Sequence, residues 1–145
     1  IILTHQHDER NIGIATIGGV EAVVMVMKTF PKCQALQDFA CFALRQLACC
    51  SIGTTNAIES GGIEALLATI NNHLGSAILC QKGCLALYNI VNGSKENTVV
   101  LIALGGGAAV AKVRTKWPDN DDVQYHVRRL ASLIASEMKT WADDD

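Results

Sequence analysis

The chain has 145 residues, half of them apolar, with 12 Lys+Arg against 14 Asp+Glu and a net charge of −2. That length fits one domain able to bury a core without metals or disulfides, and a mean hydropathy of +0.24 excludes a disordered chain. Near-neutral charge and only seven aromatics (Phe30, Phe39, Phe42, Tyr88, Trp117, Tyr125, Trp141) exclude the basic face and stacking platforms of a nucleic-acid binder.

In chain order, Ile1-Ile2-Leu3-Thr4-His5-Gln6-His7 has no basic residue ahead of its apolar run and does not read as a signal peptide. The missing initiator Met suggests a piece of a longer chain. A short helix is expected up to Gly18-Gly19, where one glycine needs a positive φ to turn the chain sharply. Val20, Val23, Val24 and Met27 then fall at i, i+3, i+4 and i+7, the spacing of one helical face. Pro31 marks the next turn, because proline cannot continue a helix interior. A longer third helix follows, its apolar side marked by Leu36, Ala40, Ala43, Leu44 and Leu47.

The pattern restarts at Gly61-Gly62 with Ile63, Leu66, Leu67 and Ile70, and continues through a second long helix over 79–91. The uncharged stretch 97–111 is fifteen residues long and is broken by Gly105-Gly106-Gly107. A membrane span needs about 20 apolar residues, so a buried helix pair is expected there and no membrane. Pro118 marks the last turn before another long helix over 123–135, and Asp143-Asp144-Asp145 reads as a solvated tail.

These elements repeat in a fixed register. Gly18-Gly19-Val20-Glu21-Ala22-Val23-Val24 returns 43 positions on as Gly61-Gly62-Ile63-Glu64-Ala65-Leu66-Leu67, and a further 44 on as Gly105-Gly106-Gly107-Ala108-Ala109-Val110-Ala111. The block 36–48 aligns at the same offsets with 79–91 and 123–135, and Pro31 falls on Leu74 and then on Pro118. Each unit is therefore expected to be a short helix, a Gly-Gly corner, a helix of about three turns and a longer third helix.

A three-helix period of about 40–47 residues resembles armadillo repeats. The resemblance rests on Val/Ile-Glu-Ala after Gly-Gly and on the third-helix pattern Leu-Gln-x-x-Ala-Cys-x-Ala-Leu-x-Gln/Asn-Leu. It implies an all-α fold, a right-handed superhelical solenoid of about three armadillo repeats in one domain over 1–145. The repeats fall at 8–50, 51–93 and 94–136, with 1–7 a remnant of a preceding third helix and 137–145 a C-terminal tail.

The catenins and the importin-alpha adaptors are similar folds that bind extended peptides or other proteins along a concave third-helix groove. The resemblance implies the same mode here, a protein-binding scaffold with a protein or extended-peptide partner, in the cytoplasm and also open to the nucleus. The groove row implied is Asp38, Phe42 and Gln46, then Gln81, Leu85 and Asn89, then Tyr125 and Arg129. The adaptor-type Asn position maps to Gln46, Asn89 and Leu133, and the Trp position to Phe42, Leu85 and Arg129. With no Trp left in that array, nuclear-localisation-signal binding is disfavoured. Asn89 is the leading candidate, because a side-chain amide both donates to and accepts from a peptide backbone. The alternative at Asn89 is an amide satisfied within the repeat, at Phe42 and Leu85 packing against the next third helix, and at Arg129 a solvated terminal charge. The alternative function is a structural segment of a longer solenoid whose binding site lies elsewhere.

No nucleophile–base pair, H-E-x-x-H, P-loop lysine or zinc-type cysteine spacing occurs, so neither an enzyme nor a cofactor is expected. Six cysteines (33, 41, 49, 50, 80, 84) are expected as reduced, mostly buried thiols. His5-Gln6-His7 is weak as a metal site, and Asn92-Gly93-Ser94 is a sequon without meaning in a cytosolic chain. At the ends of the array, Ala40, Gly83 and Val127 form one third-helix column and Cys41, Cys84 and Arg128 the next. The small residues are expected to let a following repeat pack, whereas Arg128, with Arg129 and Lys139, makes 123–138 a polar terminal face. Ile1-Ile2-Leu3 and Ile12, Ile14 and Ile17 lack such a cap, so self-association through the first repeat, or poor order there, is expected.

Overall fold

The computed structural model describes the backbone of residues 2–144 and the side chains of residues 7–144. Among the described residues the chain is all-helical, with nine helices and no strand. In order these are α1 (Ile2–Thr16), α2 (Gly19–Thr29), α3 (Gln34–Leu47), α4 (Ser51–Glu59), α5 (Gly62–Asn72), α6 (Ala77–Val91), α7 (Lys95–Ala103), α8 (Gly106–Lys116) and α9 (Asp121–Asp143). They fall into three successive trios, and each trio places an 11-residue second helix after its corner.

The two glycines of each corner act differently. The first, Gly18, Gly61 or Gly105, sits at φ 90°, 84° or 93°, a left-handed conformation that side chains disfavour. The second, Gly19, Gly62 or Gly106, approaches the preceding helix so closely that a Cβ would lie 2.7, 2.7 or 2.8 Å from the carbonyl oxygen of Ile14, Ala57 or Leu101. The chain bends by 69° between α1 and α2 and by 73° between α7 and α8.

The turn into each third helix also repeats. Buried Gln37 donates from Nε2 to the carbonyls of Met27 (3.0 Å) and Phe30 (2.9 Å). Gln124 does the same to Arg114 (3.2 Å) and Trp117 (2.8 Å). In the middle trio the equivalent residue is Cys80, whose thiol lies 3.7 Å from the carbonyl of His73 and 3.6 Å from that of Leu74. These side chains satisfy carbonyls that the end of each second helix leaves without intrahelical donors.

Successive trios are joined by bonds of one repeat length. His73 Nε2 donates to the Pro31 carbonyl (2.8 Å), and Trp117 Nε1, at the equivalent position, donates to the Leu74 carbonyl (2.9 Å). Asn56 Nδ2 reaches back to the Ala15 carbonyl (3.0 Å). α6 lies between α3 and α9, so the third helices stand side by side. The middle trio, covered on both sides, supplies half of the twelve largest fully buried side chains: Ile63, Leu66, Ile70, Leu79, Leu87 and Ile90. Among the described residues no single helix is long and apolar enough to cross a membrane.

α1 runs unbroken through the boundary placed between residues 7 and 8, where His5-Gln6-His7 holds no glycine or proline to break it. The last helix runs on past residue 136 as far as Asp143. Asn120 caps that helix by accepting from Val123 N (3.1 Å), no glycine or proline interrupts it, and Glu137 pairs with Lys95 of α7 (3.7 Å). Gly83 is small for its own trio rather than for a following one, since a Cβ there would lie 2.7 Å from Ile70 Cγ1 of α5. Finally, Cys41, Cys80 and Cys84 are buried, but Cys33 and Cys49 are exposed and Cys50 is half-buried. Those three sit in the turns flanking α3 and α4, where helical periodicity gives no guide to burial. Arg128 is exposed, as its column position requires. The side chains of Ile1, Ile2, Leu3 and His5, and Asp145, lie outside the described residues.

Candidate binding surface

The eight candidate side chains all lie on third helices, and none of them is buried. Phe42 is 49% and Tyr125 57% exposed; Asp38, Gln46, Gln81, Leu85, Asn89 and Arg129 are half-buried. Amphipathic third helices turn one stripe to the core, and these residues border it.

The helices bring some of them into contact. Asp38 of α3 pairs with Lys82 of α6. Asn89 Nδ2 donates to the Arg45 carbonyl at the end of α3 (3.4 Å), so one amide proton is engaged between two trios. The Arg129 guanidinium carbon lies 4.0 Å from the ring centroid of Tyr88 on α6 and 5.4 Å from that of Tyr125 on its own helix. Arg45 lies over Phe42 at 5.1 Å, and Tyr125 meets His126 edge-on with centroids 5.1 Å apart. Gln46 enters through its backbone, its carbonyl accepting from Asn11 Nδ2 (3.1 Å).

The electrostatics follow from this placement. Burial, then the Arg129 charge, pushes the His126 pKa below its ordinary value; Arg45 adds to this and Asp122 opposes it. Arg45 and Arg129 thus bring positive potential to the aromatic and amide groups around Tyr88 and Asn89. The surface offers aromatic faces, two guanidiniums and side-chain amides, groups suited to holding peptide backbone and apolar side chains. Among the described residues no three His, Cys, Asp or Glu side chains converge to hold a metal.

The chain is 26% identical over 106 residues, 67% of its length, to Protein aardvark of Dictyostelium discoideum. The matched stretch is 14% of that protein's length. No family model matches the chain, and no solved structure matches it.

Four residues of this surface were not among the sequence candidates: Arg45, Lys82, Tyr88 and His126. Each is adjacent in sequence to a candidate or separated from one by a turn of helix. A signal existed for Tyr88, one of only seven aromatics and set among third-helix residues. None existed for Lys82 or Arg45, whose charges read as a solvated face.

Proposed function

We propose that the chain is an armadillo-type, right-handed superhelical solenoid of three repeats that serves as a protein-binding scaffold. Its third-helix row, Asp38, Phe42, Gln46, Gln81, Leu85, Asn89, Tyr125 and Arg129, takes an extended peptide or a segment of a partner protein. The observation that carries this reading is the placement of three parallel-series helices side by side with exposed Phe42 and Tyr125 at either end and Tyr88, Asn89 and Arg129 between them. Exposed aromatics next to guanidiniums are costly for a scaffold with no ligand and useful for one that binds.

A second reading is favoured by one bond. Asn89 uses its amide to tie α6 to α3, as expected if the row only holds the array together and binding occurs elsewhere in a longer protein. The two readings part on a pull-down with the chain bearing Phe42→Ala and Tyr125→Ala, compared with the unsubstituted chain at matched melting temperature. Loss of specific partners supports the binding row; an unchanged partner set supports the structural segment.

A further inference from the structure

Cys49 and Cys50 are neighbours in the turn between α3 and α4, and both line one open crevice of about 430 Å³ where α3 and α6 end and α4 and α7 begin. Cys49 is exposed and Cys50 half-buried, so neither thiol is sealed in the core. Each is held by a carbonyl at the end of α3: Cys49 Sγ donates to Arg45 (3.4 Å) and Cys50 Sγ to Leu47 (3.3 Å). Neither carbonyl depends on its thiol, because Arg45 also accepts from Asn89 Nδ2 (3.4 Å) and Leu47 from the Cys50 amide (3.5 Å). Both thiol protons can therefore leave without orphaning a carbonyl. Cys50 also caps α4, its sulfur accepting from Gly53 N (3.4 Å), the place that Ser94 Oγ fills for α7 by accepting from Asn97 N (3.2 Å). Sulfur is a weaker acceptor than a hydroxyl oxygen, so capping does not account for cysteine at this position, nor for a second one beside it.

The donor set selects the ligand. Apart from the two sulfurs, the described residues lining the crevice bring only hydroxyls, amides and alkyl groups, with no carboxylate, imidazole or ammonium. Calcium and magnesium need carboxylate oxygens, and a closed zinc site needs four protein ligands. Thiolates select soft ions, and two of them complete the shell of copper(I). We propose that Cys49 and Cys50 form a two-thiolate site for copper(I). Binding forms two Cu–S bonds and releases the two thiol protons to solvent, with no change of oxidation state. The complex carries one net negative charge, and the Gly53 N–H already aimed at Cys50 Sγ stabilises it. The other thiols do not compete: Cys41, Cys80 and Cys84 are fully buried, and Cys33 stands in the turn before α3 with no cysteine beside it. The site stands apart from peptide binding by the third-helix row.

The test is an anaerobic titration of the 145-residue chain with copper(I) supplied as its bicinchoninate complex, reading the copper withheld from the chelator by loss of the complex's colour. A single copper(I) per chain is expected. Cys49→Ser and Cys50→Ser should each weaken binding by roughly a hundredfold or more, because the second thiolate acts as an intramolecular ligand. Cys33→Ser should leave it unchanged. Serine at position 50 keeps an oxygen cap, as Ser94 does for α7, and Cys49 is exposed, so matched melting temperatures separate ligand loss from unfolding. Alkylation of the unsubstituted chain gives a second readout that needs no variant: copper(I) should shield Cys49 from iodoacetamide and leave Cys33 reactive. No copper withheld, undiminished binding by either serine variant at position 49 or 50, an equal loss with Cys33→Ser, or unshielded Cys49 would each overturn the proposal. So would copper retained by the Cys49→Ser, Cys50→Ser chain, since the ion would then sit on the buried thiols.

Discussion

Arg129 of α9 lies against Tyr88 of α6, guanidinium carbon 4.0 Å from the ring centroid, and so links the last two third helices across a trio boundary. A partly exposed cation over an aromatic face contributes about 0.5–1 kcal/mol. Arg129→Ala should therefore lower the urea unfolding free energy by that amount, and Tyr88→Phe should keep most of it. An Arg129→Ala chain as stable as the original would remove this link from the account.

The same arginine adds to the effect of burial on the titration of His126. Burial and the Arg129 and Arg45 charges hold that imidazole neutral below its ordinary range. The unfolded chain takes up the proton near pH 6.5, so the contribution of His126 to stability is complete above that pH and is lost as the pH falls below it. Arg129→Ala should move the His126 titration upward when followed by nuclear magnetic resonance, and His126→Gln should flatten the acid limb of the stability profile.

The glycine corners give opposite expectations for neighbouring residues. Gly106→Ala drives a Cβ to 2.8 Å from the Leu101 carbonyl and should cost about 1 kcal/mol or more. Gly107, one residue on and within α8, has open space around the same added atom. Gly107→Ala should be neutral or stabilising, by up to about 1 kcal/mol. Thermal melting of the two single variants reads the difference directly.

The thiols divide into two classes. Burial pushes Cys41 and Cys84 from 9.0 up to about 12; the Asp38 charge adds for Cys41, and the neighbouring Cys80 and Cys41 for Cys84. At pH 8 an alkylating reagent should label Cys33 and Cys49 and spare Cys41 and Cys84 in the folded chain. Because the folded pKa is raised, the stability these thiols contribute is complete below about pH 9 and declines as pH rises towards 12. The decline is on the order of 1 kcal/mol per pH unit for each thiol. A Cys41→Ala, Cys84→Ala chain should show a shallower alkaline limb.

What the sequence made legible was what glycine and apolar spacing dictate locally. Gly18, Gly61 and Gly105 announced the corners because almost no other residue takes their φ, and the third-helix stripes followed from period alone. The buried column Gln37, Cys80 and Gln124 stayed hidden, since an amide inside an apolar stripe is intelligible only once the carbonyls it satisfies are placed. Periodicity also names a face without naming its neighbour. Asp38 could be placed on the row, but not opposite Lys82; Arg129 could be placed there, but not against Tyr88. At the ends the repeat register does not mark where the helices start and stop. Residues 5–7 align with a turn yet lack its residues, and the helix past residue 137 continues because nothing stops it.

The binding row is tested most directly by photo-crosslinking. Peptides enriched from a random extended-peptide display library would be incubated with chains carrying benzoyl-phenylalanine singly at positions 42, 85, 125, 25 and 112. The account predicts crosslinks from positions 42, 85 and 125, on the third helices, and none from positions 25 and 112, on second helices. Crosslinks confined to positions 25 and 112, or a library from which the chain enriches no peptide, would contradict it.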